Sequence, residues 1–208
     1  PPRGVAGGSV IRLYTGASCI HSHRARLALA LKGVEAERVP VDPERPPASL
    51  LEQNPYGDVP TLVDRDIALY HPEIIIDYLD ERYPHPPLLP VDPVSRAKAR
   101  LVVHRMQRDW YALYEQIENG TAAQAQQARR ALRESLVAAA ELFEGQPYFL
   151  SDELTIMDLT ILPLLWRLSA AGVELPEHAA AITQYAEQQF ATDAFRTSLT
   201  REELGLRA

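Results

Sequence analysis

Cysteine is almost absent from this sequence. Cys19 is the one thiol in 208 residues, so no disulfide can form within the chain. The fold must therefore rest on its apolar core, and a reducing, cytoplasmic setting is expected. No apolar run approaches the roughly 20 residues that a membrane-spanning helix needs. The opening PPRGVAGGS has no apolar stretch of the kind found in secretory signals, and residues 1–9 are expected to form a flexible tail. Positive charge is in deficit, with 21 Lys and Arg against 28 Asp and Glu, a net charge of -7. An acidic surface repels phosphate backbones, so DNA is expected to be met only indirectly. Nothing resembles a phosphate-cradling glycine loop, and no Ser-His-Asp set can be assembled by spacing.

Proline, by contrast, is concentrated. RYPHPPLLPVDP, from Arg82 to Pro93, holds five prolines in twelve residues. The plain reading is a stiff linker. The other reading is a recognition surface, because prolines restrict the unbound chain and leave less entropy to lose on binding. His85 adds a ring that can donate and accept hydrogen bonds.

The residues before this segment read as strand, helix, strand, helix, strand, strand, helix. VIRLY is a first strand, and RARLALALKG a helix stopped by Gly33. ERVPV alternates as a strand, and Pro40, which cannot donate to a ladder, places it at a sheet edge. PASLLEQNP is a short helix. VPTLVD and IALY form a hairpin across Asp64-Arg65-Asp66, and PEIIIDYLDERY is a helix that begins at Pro72. After the segment the pattern is helical. Asp92-Pro93 reads as an N-cap and first-turn proline. Val102, Met106, Trp110, Leu113 and Ile117 recur at helical spacing as one buried face. AQQARRALRESLVAAAELFEG is a second long helix ended by Gly145. Thr155 and Asp158 have capping-box spacing, with Leu154 and Leu159 placed as a hydrophobic staple. The helix that follows is apolar almost all round and is expected at the centre of its domain, with Pro163 a possible kink.

An α/β unit with Val59-Pro60-Thr61-Leu62, followed by an all-helical part with Thr155-x-x-Asp158, resembles the glutathione transferase fold. That resemblance implies α/β plus all-α architecture: a thioredoxin-like domain over 10–83, the proline-rich linker and contact segment over 84–93, and a helical domain over 94–208. It also implies that Pro60 is cis. NPYGDVPTLVDRD, IIIDYLDERYPHPPLLPVDPVSRA, HRMQRDWYAL and PYFLSDELTIMDLTILPLLWRL are similar to the stringent starvation family, bacterial RNA polymerase-associated proteins built on the same fold.

What the resemblance implies for function divides in two. Transferases hold the γ-glutamyl end of glutathione with a Glu-Ser or Asp-Ser pair at a helix start. Here the matching positions are His71 and Pro72, and proline has neither a hydroxyl nor an N–H. No cofactor and no catalysis are therefore expected. The alternative is an omega-like thiol transferase using Cys19, five residues before Arg24. Cys19, His21 and His23 crowd together without a fourth ligand or a recognisable zinc spacing, so no metal is expected, and the plain reading is a polar loop with His23 near a helix start.

The family resemblance instead implies a homodimer that binds RNA polymerase holoenzyme, including its primary sigma factor. The implied contacts are Pro84, His85 and Pro86, with Tyr83 and Pro87 beside them, and a second regulator protein as a further partner. Asp92 departs from the tyrosine common in that family. Arg96, Arg100, His104 and Arg108 stand four apart and form a stripe roughly opposite Val102 and Met106. That stripe is either a solvated face paired with acids or an electrostatic contact to an acidic protein or to promoter DNA.

Overall fold

The computed structural model describes residues 10–207. The expected tail at 1–9 lies outside the described residues. Four strands, β1 (Ile11–Thr15), β2 (Ala36–Pro40), β3 (Thr61–Asp64) and β4 (Ile67–Tyr70), form one sheet in the order β2-β1-β3-β4. The β1–β2 pair is parallel, and the β1–β3 and β3–β4 pairs are antiparallel. Pro40 ends an edge strand, as its missing N–H requires. Arg65 takes positive φ in the two-residue turn between β3 and β4.

Helices α1 (Ile20–Leu31), α2 (Ala48–Gln53) and α3 (Pro72–Arg82) belong to this unit. The first is a correction. The spacing predicts a helix from Arg24, yet α1 begins at Ile20 with Cys19 as its N-cap. Its early residues are polar, but they are buried by other elements, which no local pattern announces. Nine of its twelve residues are buried, including Ser22, His23, Arg24 and Arg26.

The helical part comprises α4 (Pro93–Met106), α5 (Ala112–Asn119), α6 (Ala122–Ala138), α7 (Ile156–Arg167), α8 (Ala180–Phe190), α9 (Asp193–Ser198) and α10 (Arg201–Gly205). Asp92 caps α4 by accepting from Ser95 N at 2.9 Å. A π-helical turn, Gln107–Tyr111, joins α4 to α5. It shifts the phase of the residues that follow, so Tyr111 is buried while Leu113 is only partly so; ahead of it, in α4, Val103 is buried and Val102 only partly so. The second long helix ends earlier than its sequence suggests, at Ala138, and passes into a 3₁₀ turn over Ala140–Phe143 before Gly145. Gly145 then takes φ +77°, open to glycine at little cost. One apolar cluster runs from Leu13 and Leu62 in the sheet, through Leu79 and Leu88, to Leu159 and Phe195 among the helices. Tyr14, Val41 and Leu50 form a small second cluster.

α7 is buried along almost its whole length and runs through Pro163. Its start is built on Asp158. One carboxylate oxygen accepts from Thr155 N (2.9 Å), while the other accepts from Phe149 N (2.9 Å) and Tyr185 OH (2.6 Å). Thr155 Oγ1 in turn accepts from Met157 N at 3.2 Å, and Leu154 packs against the core beside buried Leu159. Replacing Asp158 with Ala leaves three buried donors unpaired. Asp158→Ala is expected to cost about 2–4 kcal/mol, read as a lower urea midpoint at unchanged m-value. A loss under about 1 kcal/mol would show that the cap is redundant.

Candidate functional site

Two surfaces come from the chain's polar residues. The first lies at the N-terminus of α1. Gly16 follows β1, and a Cβ there would sit 2.7 Å from Cys19 Cβ and 3.3 Å from Val59 Cγ2, so only glycine fits. Cys19 is half-buried, and its Sγ accepts from Ser22 N at 3.4 Å. His21 leans toward Tyr111, ring centres 5.6 Å apart, with an edge open to solvent. Desolvation, then the charge of Arg24, lowers its pKa to about 4.

His23 is fully buried. Its Nδ1 faces Arg167 Nη1 at 2.9 Å, and its Nε2 faces Ser198 Oγ at 2.9 Å. A guanidinium only donates, so Nδ1 accepts and the proton resides on Nε2. Cys19, His21 and His23 thus turn to three different sets of partners. The expected polar loop is instead the first turn of a helix.

α3 begins at Pro72, with His71 as N-cap at φ +79°. The helix start is therefore built without the hydroxyl and the N–H that a γ-glutamyl carboxylate would use. Glu73, in the first turn, faces His71 Nδ1 at 2.6 Å and Arg24 Nη1 at 2.7 Å. Val59–Pro60 is cis, as the resemblance implies.

The second surface is the proline segment. α3 ends at Arg82, and Tyr83 caps it, with Tyr83 N donating to Leu79 O at 2.9 Å. Pro84, His85, Pro86 and Pro87 are exposed, and His85–Pro86 is cis. Beneath them lies a Lys–Asp pair. Lys32 Nζ, fully buried at the end of α1, meets Asp80 Oδ1 at 2.7 Å and donates to Pro86 O. Asp80 Oδ1 also accepts from Leu88 N at 2.9 Å, and Leu88 O accepts from Ile156 N at 2.9 Å. Leu88 and Leu89 are buried. The segment is thereby fastened to α1, α3 and α7 while its proline face stays in water.

The basic stripe does not hold together as spaced. With Ala99 and Val103 buried, it flanks the core face of α4 rather than opposing it. Arg96 Nη1 turns in to Pro90 O at 3.2 Å. Arg100 reaches Asp77 loosely, at 3.6 Å, and faces α3 together with His104. Arg108, in the π-helical turn, is exposed.

One group was not foreseen. Glu203 in α10, fully buried, is bonded by Arg26 at 2.6 and 3.0 Å and by Arg167 at 2.5 Å. Arg167 also holds Ser18 O at 3.2 Å, and Thr200 holds Ala17 O at 2.5 Å. The chain's last turns therefore fix the loop that leads into Cys19. A local signal was present: Thr200-x-x-Glu203 has capping-box spacing, and both of its bonds form.

A four-stranded β2-β1-β3-β4 sheet with cis Pro60, carrying an all-helical part whose α7 starts on a Thr-Asp box, defines the glutathione transferase class of fold. Residues 13–87 match the family model "Glutathione S-transferase, N-terminal domain", and residues 121–195 match "Glutathione S-transferase, C-terminal domain". A rice GST1 structure in complex with glutathione superposes with a TM-score of 0.84 at 22% identity, covering 96% of each chain. Stringent starvation protein A homologs are similar along nearly the whole length. That of Pasteurella multocida is 44% identical over 92% of this chain and 91% of its own, and that of Coxiella burnetii is 42% identical over 96% of each. The chain belongs to the stringent starvation protein A family.

The buried histidine makes stability depend on pH. Burial, then the charges of Arg167, Arg26 and Arg38, holds the His23 pKa well below its usual 6.5. Below pH 6.5 the unfolded chain takes up a proton that the folded ring refuses, so stability is lost as pH falls. From pH 7 to 5 this one group is expected to cost about 2 kcal/mol. Urea unfolding at both pH values should show that loss in the wild type and a correspondingly flatter response in His23→Gln. Equal pH responses would place the titration elsewhere.

Proposed function

We propose that the protein is a non-catalytic, stress-related transcription regulator that docks on RNA polymerase holoenzyme, its primary sigma factor included, through Tyr83, Pro84, His85, Pro86 and Pro87. The observation that carries this reading is the buried Lys32–Asp80 pair under the proline face. A surface already held in shape by Pro86 O and Leu88 N loses little conformational freedom on binding. The fully buried lysine fastens the backbone of the segment itself and not only its ends. Family membership supports the same reading, and the absence of donors at Pro72 argues against glutathione. Asp92 spends its carboxylate on Ser95 N, so it contributes a cap where the family's tyrosine would contribute an aromatic body.

The protein acts as a cytoplasmic homodimer with no cofactor, and DNA is reached only through the polymerase. Ile74 on α3 with Val94 and Leu101 on α4 supplies outward apolar surface for the second copy. A second regulator protein is a further partner in this reading.

Co-migration with RNA polymerase holoenzyme on size exclusion tests the docking surface. Wild type is expected to co-migrate. Pro84→Ala/His85→Ala/Pro86→Ala, folded by its urea midpoint, is expected to bind at least about tenfold more weakly. Failure of the wild type to bind would sink the reading.

Cys19 favours one other reading, a thiol transferase, because the thiol is accessible at the start of a twelve-residue helix. Passage over immobilised glutathione decides between them. A regulator flows through. Firm retention that disappears in Cys19→Ser would favour the enzyme.

A further inference from the structure

A cleft of about 310 Å³ opens beside the proline face, between the segment ahead of α4 and the loop that leads into α7. Pro87, one of the exposed proline-face residues, is also one of its walls. Leu89, Pro90 and Leu154 extend the apolar lining, and Asp152 and Glu153 line it as well. The volume is at the low end for small-molecule sites and suits one long side chain.

Both walls are held in place. Leu88, between Pro87 and Leu89, is bonded through its N–H to Asp80 and through its carbonyl to Ile156 N. Across the cleft, Phe149 N donates to Asp158, and Tyr148 and Ser151 form a β-bridge. Leu150, just before Ser151, takes φ +54°, a region that bulky residues rarely enter, and its side chain is exposed. Such a cost is borne where the surrounding structure imposes it, and binding surfaces are where it concentrates.

The polar capacity of the cleft is one-sided. Pro87 and Pro90 have no N–H to offer. Glu153 N donates to Ser151 Oγ at 3.1 Å and Thr155 N to Asp158 at 2.9 Å, so these donors are spent. The carboxylates of Asp152 and Glu153 are exposed and have no hydrogen-bond or ion-pair partner among the described residues. They are not needed as caps, because Thr155 and Asp158 already complete the start of α7. Arg96, in the first turn of α4, is turned to Pro90 O instead. Two acids beside a proline-lined apolar wall match a side chain that is cationic at its tip and apolar along its stem. The same acids repel a phosphate backbone.

We propose that this cleft receives an arginine side chain presented by the protein that meets the proline face. Its guanidinium lies between Asp152 and Glu153, and its stem lies against Pro87, Pro90 and Leu154. Arginine suits the pair better than lysine, because its planar fork can engage two carboxylates at once. This assignment rests on the proline docking surface and names the chemistry that its partner carries there.

The test has two arms. In the first, the peptide acetyl-Gly-Arg-Leu-Gly-amide and its uncharged citrulline form are titrated into the ¹⁵N-labelled full chain. The arginine peptide is expected to shift the amide signals of Ser151, Asp152 and Glu153 with a Kd below about 10 mM. The citrulline form is expected to bind at least about fivefold more weakly. Asp152→Asn/Glu153→Gln should remove that preference and leave the urea midpoint unchanged, since both positions are exposed. In the second arm, the same variant is expected to bind RNA polymerase holoenzyme about fivefold more weakly than wild type, with a smaller salt dependence. Equal binding of the two peptides, no shift of the loop amides at about 10 mM, or a variant that keeps the preference would each overturn the proposal. So would holoenzyme binding that is the same in variant and wild type. A wild type that takes the arginine peptide but not the holoenzyme would sink the docking reading and leave the arginine site standing.

Discussion

The buried carboxylate of Glu203 is the contact on which the rest of the arrangement depends. Two guanidiniums, Arg26 of α1 and Arg167 of α7, converge on it, and His23 stands beside them as a neutral acceptor. Removing one partner from such a group leaves uncompensated charge in the core, typically at a cost of about 3–5 kcal/mol. Burial lowers the Arg26 pKa to about 10, and Glu203 opposes that shift. The network draws α10 against α1, and through Ser18 and Ala17 it also shapes the loop before Cys19.

α1 is accordingly more than one layer of an α/β unit. Its N-terminus carries Cys19, its middle sends Arg24 toward α3 and Arg26 toward α10, and its last turn hands over to Lys32. Arg24, Arg26 and Lys32 are each buried, and each has an acidic partner from another part of the chain. The helix packs against α3, α7 and α9, so the sheet unit and the helical part share one core rather than meeting at a polar seam. A surface segment fastened to that helix inherits its rigidity. This is why the proline run, although it connects two helices, is held as a shaped face.

Elements with a local cause were legible. Pro40 set an edge strand, Asp92-Pro93 set the start of α4, and Thr155-x-x-Asp158 set the start of α7, because each works through groups within four residues. The phase of this helical stretch was not legible, since α4 buries Val103 where the apolar spacing suggests Val102, and the π-helical turn after Met106 then buries Tyr111 while Leu113 is only partly covered. The start of α1 was missed for a related reason. Ile20 to His23 look like loop residues until Ser198, Arg167 and Thr160 arrive to bury them and their neighbours.

The sequence by itself determined the order of strands and helices, the caps, the proline face and the loss of donors at Pro72. All of these follow from backbone chemistry over short spans. Tertiary structure alone decided which charges are buried and with whom: Lys32 with Asp80, Arg24 with Glu73, and Arg26 and Arg167 with Glu203. Such pairings join residues up to 177 positions apart, and the separation leaves no periodic trace. The same limit divides the partners of the basic stripe. Its four members share a spacing, but Arg96 answers to Pro90, while Arg100 and His104 answer to α3, because side chains are claimed by whatever the fold brings near them.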